Sequence, residues 1–177
     1  MKKLYFIRHG LSEDNIRGVF NGRGDSPLSK KGEKQTKLVA AKAKSLNLDI
    51  IVSSPYKRAY KTAKIIAKNI GYPENQIITN GLFIERDLGV LEGTKYIPHH
   101  VGDHIEEIET VKQIQSRAIK ALRFLDSLSG ENILIVSHAS FGRALRSQLY
   151  KDYDFHHPKP FGNAEIVHFA KDKITYL

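Results

Sequence analysis

The stretch Ile133-Leu134-Ile135-Val136 is apolar at every position and rich in β-branched residues. A strand that is apolar on both sides requires a sheet that is covered on both faces, which is typical of the centre of a parallel sheet. Two further short strands are predicted at 4–7 and 49–52, and helical patterns separate the three along the chain. This alternation predicts parallel strands that are joined by crossover helices.

The remaining segments complete an α/β pattern. A weaker strand is predicted at 76–79, and the runs 165–169 and 174–177 predict a closing hairpin at one edge of the sheet. Helices are predicted over about 30–46, from Ser54-Pro55 to near Gly71, over about 104–128 and over about 141–150. We therefore predict an α/β fold, a three-layer α/β/α sandwich with a mostly parallel central sheet and an antiparallel edge strand.

Two of these helices carry specific start signals. Ser29 is the predicted N-cap of the helix over 30–46, whose core-facing apolar positions are predicted to be Leu38, Val39, Ala43 and Leu46. In Ser54-Pro55 the hydroxyl is suited to capping free amides, and proline suits the first helical position. The long helix over 104–128 is predicted from an apolar stripe that begins at Ile105 and Ile108.

The composition excludes several classes of protein. A chain of 177 residues predicts a single domain over 1–177. The absence of cysteine excludes disulfide scaffolds, thiol catalysis and cysteine-ligated metal sites. The first apolar run is only four residues long and is followed at once by Arg8 and His9, so it is no signal-peptide core. No run approaches membrane-spanning length, and we expect a cytoplasmic protein without a membrane partner.

The net charge is strongly positive and unevenly distributed. The chain has 28 Lys and Arg against 19 Asp and Glu, a formal charge of +9, and residues 1–80 carry the whole excess. Their lysines recur at helical spacing on solvated faces and lack interleaved aromatic residues that would stack on bases. This pattern argues against nucleic acid and is compatible with a small anionic substrate. It predicts no particular oligomeric state.

Cationic side chains follow three of the predicted strands. Arg8 and His9 come directly after the first strand, Arg58 lies one turn past the second, and His138 follows the central one. The carboxyl ends of parallel strands meet at one edge of a sheet, where ligands bind. Two arginines and two histidines there suit a phosphate group. Each alone is more often a structural histidine or a surface ion pair, so only the joint pattern carries the argument.

Five blocks of sequence, in order between positions 4 and 145, resemble the histidine phosphatase superfamily, also called phosphoglycerate mutase-like. They are the segments 4–15 (LYFIRHGLSEDN), 24–35 (GDSPLSKKGEKQ), 52–63 (VSSPYKRAYKTA), 85–93 (ERDLGVLEG) and 137–145 (SHASFGRAL). The resemblance implies an enzyme that transfers a phosphoryl group through a phosphohistidine.

The resemblance also implies roles for individual residues. His9 is the expected nucleophile, Glu85 the expected proton donor, and Arg8, Arg58 and His138 are expected to hold the phosphoryl group. The resemblance places further substrate-binding residues at Asn15, Asn21, Gly22 and Ala139. Asn21 is also compatible with a simple turn position, and Ala139 stands where the family commonly has glycine. No metal is expected, and 2,3-bisphosphoglycerate is expected as a cofactor only in a mutase.

The segment 94–103 is short where many relatives place a longer insertion that covers the pocket. A mutase must shield its phosphorylated intermediate from water, so a short cover favours hydrolysis. We expect a metal-independent, acid-type histidine phosphatase that acts on a small phosphorylated metabolite. The alternative is a phosphoglycerate mutase. The dipeptide Glu85-Arg86 resembles the mutases of the family, whereas Glu92-Gly93 resembles its phosphatases.

A non-catalytic phosphate- or RNA-binding protein on the same fold is an alternative from another class. The intact set of Arg8, His9, Arg58, Glu85 and His138 argues against it. A group of histidines, namely His99, His100, His104, His156 and His157, lacks the helical spacing and carboxylate partner of a metal site. We expect them to be solvated loop residues or to lie at the rim of the pocket.

Overall fold

The computed structural model describes residues 2–97, 105, 107–156, 159–170 and 174–177. The strands of this part of the chain are β1 (Lys3–Arg8), β2 (Ile50–Ser53), β3 (Ile78–Thr79), β4 (Asn132–Ser137), β5 (Ile166–Phe169) and β6 (Ile174–Tyr176). Its α-helices are α1 (Glu13–Arg17), α2 (Lys30–Ala43), α3 (Lys57–Ile70), α4 (Val111–Ser127) and α5 (Ala139–Leu149).

The six strands form one sheet in the order β3-β2-β4-β1-β5-β6. β1, β2, β3 and β4 are parallel, whereas β5 pairs antiparallel with β1 and β6 pairs antiparallel with β5. The predicted hairpin at the sheet edge is thus confirmed, although residues 171–173 between its strands lie outside the described part.

Two apolar cores cover the two faces of this sheet. On one face Phe6 and Ile135 pack with α4 and α5, and on the other Ile7 and Val136 pack with α2 and α3. Successive side chains of a strand point to opposite faces, so β4, which is apolar from Ile133 to Val136, contributes to both cores. The predicted α/β fold with helices on both sides of a mostly parallel sheet is confirmed.

The helix α4 begins later than the sequence predicts. Thr110 is its N-cap, and a reciprocal capping box joins Thr110 to Gln113, whose backbone N–H donates to the Thr110 hydroxyl at 3.3 Å. Ile105 and Ile108 precede this cap, and residue 104 lies outside the described residues. The predicted start at 104 was wrong because Ile105 and Ile108 continue the apolar spacing of the helix although they lie before its N-cap.

The prediction that Leu38 faces the core is also wrong, because its side chain is 78% exposed. The buried face of α2 consists of small residues, among them Ala40 and Ala43, that allow it to lie close to α3. Val39 and Leu46 pack at the margin of this core. Ser29 does cap α2, accepting the N–H of Gly32 at 3.0 Å.

The helix α3 begins at Lys57 rather than at Ser54-Pro55, and it ends at Ile70 with Gly71 as its C-cap, near the predicted end. Its N-cap, Tyr56, makes no side-chain capping bond, whereas the Ser54 hydroxyl accepts the backbone N–H of Tyr56 at 3.3 Å and lies 2.8 Å from the Nε2 atom of His138. The described residues contain no helix that is both long and apolar enough to cross a bilayer.

Candidate active site

The ends of β1 and β4 bring the first two candidate residues together. Arg8 is the last residue of β1 and lies opposite Ser137, the last residue of β4. The His9 N–H donates to the Ser137 carbonyl at 2.9 Å, and His138 follows directly. The imidazole rings of His9 and His138 therefore lie with their centroids 5.1 Å apart.

The ring of His9 is oriented by a contact at each of its two nitrogens. Its Nδ1 lies 2.7 Å from the Gly10 carbonyl, which requires a proton on Nδ1 and leaves the lone pair on Nε2. Burial, reinforced by the positive charges of Arg58 and Arg8, holds the pKa of His9 well below its ordinary range. A neutral imidazole is the form that can attack phosphorus.

Arg58, in the first turn of α3, is fully buried and joins His9 to a neighbouring loop. Its Nε donates to the Nε2 of His9 at 3.2 Å. Its two terminal nitrogens donate to the carbonyls of Gly24 at 2.6 Å and Gly22 at 2.8 Å. Burial lowers the pKa of Arg58, and the charge of Glu85 opposes that effect. The guanidinium is therefore fixed in direction before any substrate is present.

The loop 21–24 owes its shape to a glycine and a distant carboxylate. The Glu92 carboxylate accepts the N–H of Gly22 at 3.0 Å and that of Arg23 at 2.7 Å. A Cβ atom at Gly22 would lie 2.5 Å from the backbone carbonyl oxygen of Arg86 and 2.3 Å from the Glu92 carboxylate, so a larger residue would force the backbone to shift. Gly22 is thus placed beside Arg58, but it does not line the cleft described below.

His138 is fully buried, and its orientation is fixed by Ser54. Its pKa is held well below the ordinary value by burial, with contributions from Arg58, His9 and Arg8. Its Nδ1 is a buried atom for which the described residues provide no hydrogen-bond partner. Sequence reasoning treated Ser54 as a helix cap and missed this contact, because the pairing depends on how β2 and β4 lie in the sheet.

Glu85 lies against the first turn of α5. Its carboxylate accepts the backbone N–H groups of Phe141 at 3.1 Å, Ser140 at 3.2 Å and Arg86 at 2.8 Å. Arg117 of α4 donates to the Glu85 carbonyl at 3.3 Å and supports the same segment. The carboxylate is thus positioned by a helix N-terminus and by the chain around it.

A cleft of about 570 Å³ opens at this edge of the sheet. Of the candidate residues, Arg8, Asn15, Asn21, Glu85 and Ala139 line it. His9, Arg58 and His138 are buried and do not line it, with exposed fractions of 4%, 0% and 0%. These three side chains therefore lie behind the residues that line the cleft.

Asn163, which sequence reasoning missed, connects His9 to the wall of the cleft. Its side-chain nitrogen donates to the His9 carbonyl at 2.9 Å and to the Oδ1 of Asn15 at 3.3 Å. Arg8 donates to the Phe161 carbonyl at 3.1 Å, while its Nε is buried without a partner in the described part of the chain. Asn163 lies in an irregular segment before β5, and no sequence signal marks it.

The histidine group does not form a described metal site. His99, His100, His104 and His157 lie outside the described residues, and His156 is exposed at the rim of the cleft. Among the residues that the structure describes, no group of three or more histidine or acidic side chains could hold a metal ion.

A family model for the histidine phosphatase superfamily (branch 1) matches residues 4–173. The chain belongs to this superfamily. This histidine phosphatase family member is 32% identical over 152 residues to a Hydrogenobacter thermophilus protein named "Putative phosphoserine phosphatase 2", a match that covers 78% of this chain and 73% of the relative. It is 33% identical over 153 residues to the Escherichia coli protein named "Probable phosphoglycerate mutase GpmB", which covers 78% of this chain and 70% of the relative.

Solved structures agree on the fold. A mycobacterial glucosyl-3-phosphoglycerate phosphatase superposes on this chain with a TM-score of 0.83 at 21% identity, covering 95% of this chain and 92% of that one. The family resemblance predicted from the five sequence blocks is thus confirmed, and a phosphohistidine mechanism is general to the superfamily.

Proposed function

We propose that this chain hydrolyses the phosphomonoester of a small phosphorylated metabolite through a phosphohistidine on the Nε2 of His9. The observation that carries the proposal is the state of His9. Its Nδ1 is committed to the Gly10 carbonyl, and its Nε2 is a neutral lone pair beside a buried arginine. Arg8 at the wall of the same cleft has an unused Nε.

The first step transfers the phosphoryl group to the protein. The Nε2 of His9 forms a bond to phosphorus while the bond from phosphorus to the ester oxygen breaks. The Nε–H of Arg58 turns from His9 to a phosphoryl oxygen, and Arg8 and His138 donate to the other oxygens, which stabilises the charge that develops there. Glu85, at the wall of the cleft, enters this step in its protonated form, gives its proton to the departing alkoxide and is left as a carboxylate.

The second step returns the enzyme to its starting state. A water molecule attacks the phosphohistidine, the bond between phosphorus and Nε2 breaks, and inorganic phosphate leaves. The Glu85 carboxylate takes a proton from the attacking water and is then ready for the next cycle. Both steps balance without a metal ion or a cofactor, which is how we propose that this enzyme works.

The relatives' names divide between hydrolysis and isomerisation, so phosphoglycerate mutase is the second candidate. The phosphatase is favoured because two of the three similar proteins described above are named phosphatases. Tyr96 and Ile97, the last described residues before position 98, are exposed at 53% and 48%. Rapid conversion of 3-phosphoglycerate to 2-phosphoglycerate that depends on 2,3-bisphosphoglycerate would reverse this order.

The proposal is tested by hydrolysis of 4-nitrophenyl phosphate in EDTA. We expect activity in the wild type and its loss in His9→Ala, together with an acid-labile phosphoprotein that is trapped by a rapid alkaline quench and maps to His9. His156→Ala is the matched control, because that histidine is exposed at the rim of the same cleft. Activity that requires added zinc or magnesium, or a label on another residue, would contradict the mechanism.

A further inference from the structure

One carboxylate, that of Glu92, accepts three consecutive backbone N–H groups of the loop 21–24. Its Oε2 accepts from Gly22 at 3.0 Å and from Gly24 at 3.4 Å, and its Oε1 accepts from Arg23 at 2.7 Å. The loop belongs to no helix or strand, and no other acceptor for these N–H groups is found in the described part of the chain. The position of the loop backbone therefore depends on Glu92.

The carbonyl groups of the same loop accept hydrogen bonds from Arg58. One terminal nitrogen of the guanidinium donates to the Gly24 carbonyl at 2.6 Å, and the other donates to the Gly22 carbonyl at 2.8 Å. The remaining nitrogen, Nε, donates to the Nε2 of His9 at 3.2 Å. The loop thus directs two nitrogens of the guanidinium and leaves the third for the reacting centre.

The two sets of contacts meet in one peptide group. The Gly22 carbonyl and the Arg23 N–H belong to the same trans peptide, in which the two groups point in opposite directions. Glu92 therefore lies on one side of this peptide and Arg58 on the other, at 2.7 Å and 2.8 Å. The preceding peptide repeats the arrangement, with the Asn21 carbonyl 3.5 Å from Arg58. A carboxylate and a guanidinium are thus joined through the backbone.

This arrangement stabilises the buried guanidinium as well as directing it. A peptide N–H that donates to a carboxylate polarises its peptide group, which makes the carbonyl a stronger acceptor. Arg58 is fully buried and needs such acceptors to remain charged. Burial lowers the pKa of Arg58, and Glu92 is among the negative charges that oppose this effect.

Glu92 lies away from the space that a substrate would occupy. It directly follows the 3₁₀ turn Gly89–Leu91, its N–H donates to the Gly89 carbonyl at 3.1 Å, and it does not line the cleft. The Leu88 N–H donates to the same carboxylate at 3.4 Å. An effect of Glu92 on the reaction is therefore expected to pass through the loop and Arg58.

We propose that Glu92 is a positioning residue that holds the guanidinium of Arg58, through the peptide between Gly22 and Arg23, in the direction that phosphoryl transfer requires. This inference rests on the proposed function and adds a residue to it. In the proposed first step the Nε–H turns from His9 to a phosphoryl oxygen, while the loop carbonyls keep the rest of the guanidinium in place. Loss of Glu92 should therefore weaken binding of the transition state more than binding of the product.

The test measures the dissociation constants of orthovanadate and of inorganic phosphate by calorimetry. Orthovanadate adopts the five-coordinate geometry that phosphorus passes through, whereas phosphate is the product. The proteins are wild type, Glu92→Gln and Glu92→Ala, together with Arg58→Lys and the double variant Arg58→Lys/Glu92→Ala. Asp87→Asn is the matched control, because Asp87 contacts the same loop only through the side chain of Arg23. The kcat and KM for 4-nitrophenyl phosphate are measured with the same proteins.

We expect the wild type to bind vanadate more tightly than phosphate, and Glu92→Ala to reduce this preference by about tenfold or more, as the loss of charge-assisted hydrogen bonds implies. The kcat should fall by a similar factor, with a smaller change in KM. Glu92→Gln retains one acceptor oxygen and should lie between the two. Asp87→Asn should keep the wild-type preference. In the Arg58→Lys background Glu92→Ala should have little further effect, because lysine lacks the fork that reaches both carbonyls.

The inference is overturned if the wild type binds vanadate no more tightly than phosphate, or if Glu92→Ala keeps the wild-type preference. An equal effect of Glu92→Ala with Arg58 and with Lys at position 58 would also overturn it, since Glu92 would then act elsewhere. Each preference is a ratio within one protein, so a partly unfolded variant does not distort it. Absence of hydrolysis and of a phosphohistidine in the wild type would overturn the proposed function instead, and the binding ratios, which need no turnover, keep the two results distinguishable.

Discussion

The candidate active site has two parts that differ in how they are held. The inner part, made of His9, Arg58 and His138, is buried, and the protein's own carbonyls, hydroxyls and ring nitrogens fix each side chain. The outer part includes Tyr96 and Ile97, which line the cleft and are about half exposed. The difference teaches that the residues proposed to transfer the phosphoryl group are held by the protein itself, whereas the side chains at the mouth of the cleft are open to solvent.

The largest effect that tests this division is expected at Glu85, on the boundary between the two parts. Glu85→Gln should slow transfer from an alkyl phosphate by about 10²-fold or more, because the departing alkoxide is strongly basic. Transfer from 4-nitrophenyl phosphate should fall far less, since nitrophenolate leaves almost unaided. The measurement is single-turnover phosphorylation of His9, which excludes any role of Glu85 in the later attack by water.

Asp87→Asn is the matched control for that experiment. Asp87 lies two residues away, pairs with Arg23 at 3.0 Å and does not line the cleft, so its loss should leave the ratio of the two rates unchanged. An equal loss on both substrates in Glu85→Gln would remove Glu85 from the role of proton donor. A changed ratio in Asp87→Asn would make Asp87 the candidate.

A second prediction concerns the free energy of unfolding, which the buried histidines of the inner part should lower at acidic pH. Burial lowers the folded-state pKa of His9 and of His138 well below the unfolded value of about 6.5. Below that pH the unfolded chain binds protons that the folded chain does not. The free energy of unfolding should therefore fall with falling pH, by up to about 1.4 kcal/mol per pH unit for each histidine.

The measurement is urea unfolding between pH 7.5 and 5 in buffers without phosphate, with wild type, His9→Asn and His138→Asn. Each substitution should reduce the slope of stability against pH in the window below about 6.5. His156→Asn, which changes an exposed side chain, should leave most of the slope in place. Wild-type slopes in both His9→Asn and His138→Asn would show that the inner histidines can be protonated without cost in the folded protein.

The smallest effect is expected at the outer part. Tyr96 is half exposed and contacts Phe20 edge to face, with ring centroids 5.0 Å apart. Tyr96→Ala should raise KM for 4-nitrophenyl phosphate by about two- to fivefold and leave kcat nearly unchanged, as the loss of one exposed aromatic contact implies. Leu38→Ala on α2 is the control, and a hundredfold fall in kcat for Tyr96→Ala would place Tyr96 in the reacting machinery.

The inner part of the site could be largely predicted from the sequence. Arg8, His9 and His138 stand directly after strongly apolar strands, and the carboxyl ends of parallel strands meet at one edge. The partners that orient them were not predictable in the same way. Ser54 and Asn163 reach the histidines only through the pairing of strands that are distant in the chain.

The errors in the fold have a related cause. Leu38 has the apolar character of a core residue, yet α2 packs against α3 through alanines, and the close approach leaves no room for a large side chain. Apolar periodicity also placed the start of α4 too early in the chain, although the capping box at Thr110 makes the helix begin there. Periodicity identifies which residues are apolar. The packing distance between helices decides which of them are buried, and capping bonds decide where a helix begins.

The loop at Gly22 has a consequence for how such an enzyme diversifies. Glu92, Gly22 and Arg58 depend on one another, since the carboxylate fills the space of a missing side chain and the guanidinium holds the adjoining carbonyl. We expect a change at any one of the three to disturb the loop beside Arg58, whereas changes at Tyr96 and Ile97, which are about half exposed, should leave that loop intact. Variation at the mouth of the cleft should therefore be tolerated without altering the residues that are proposed to carry the reaction.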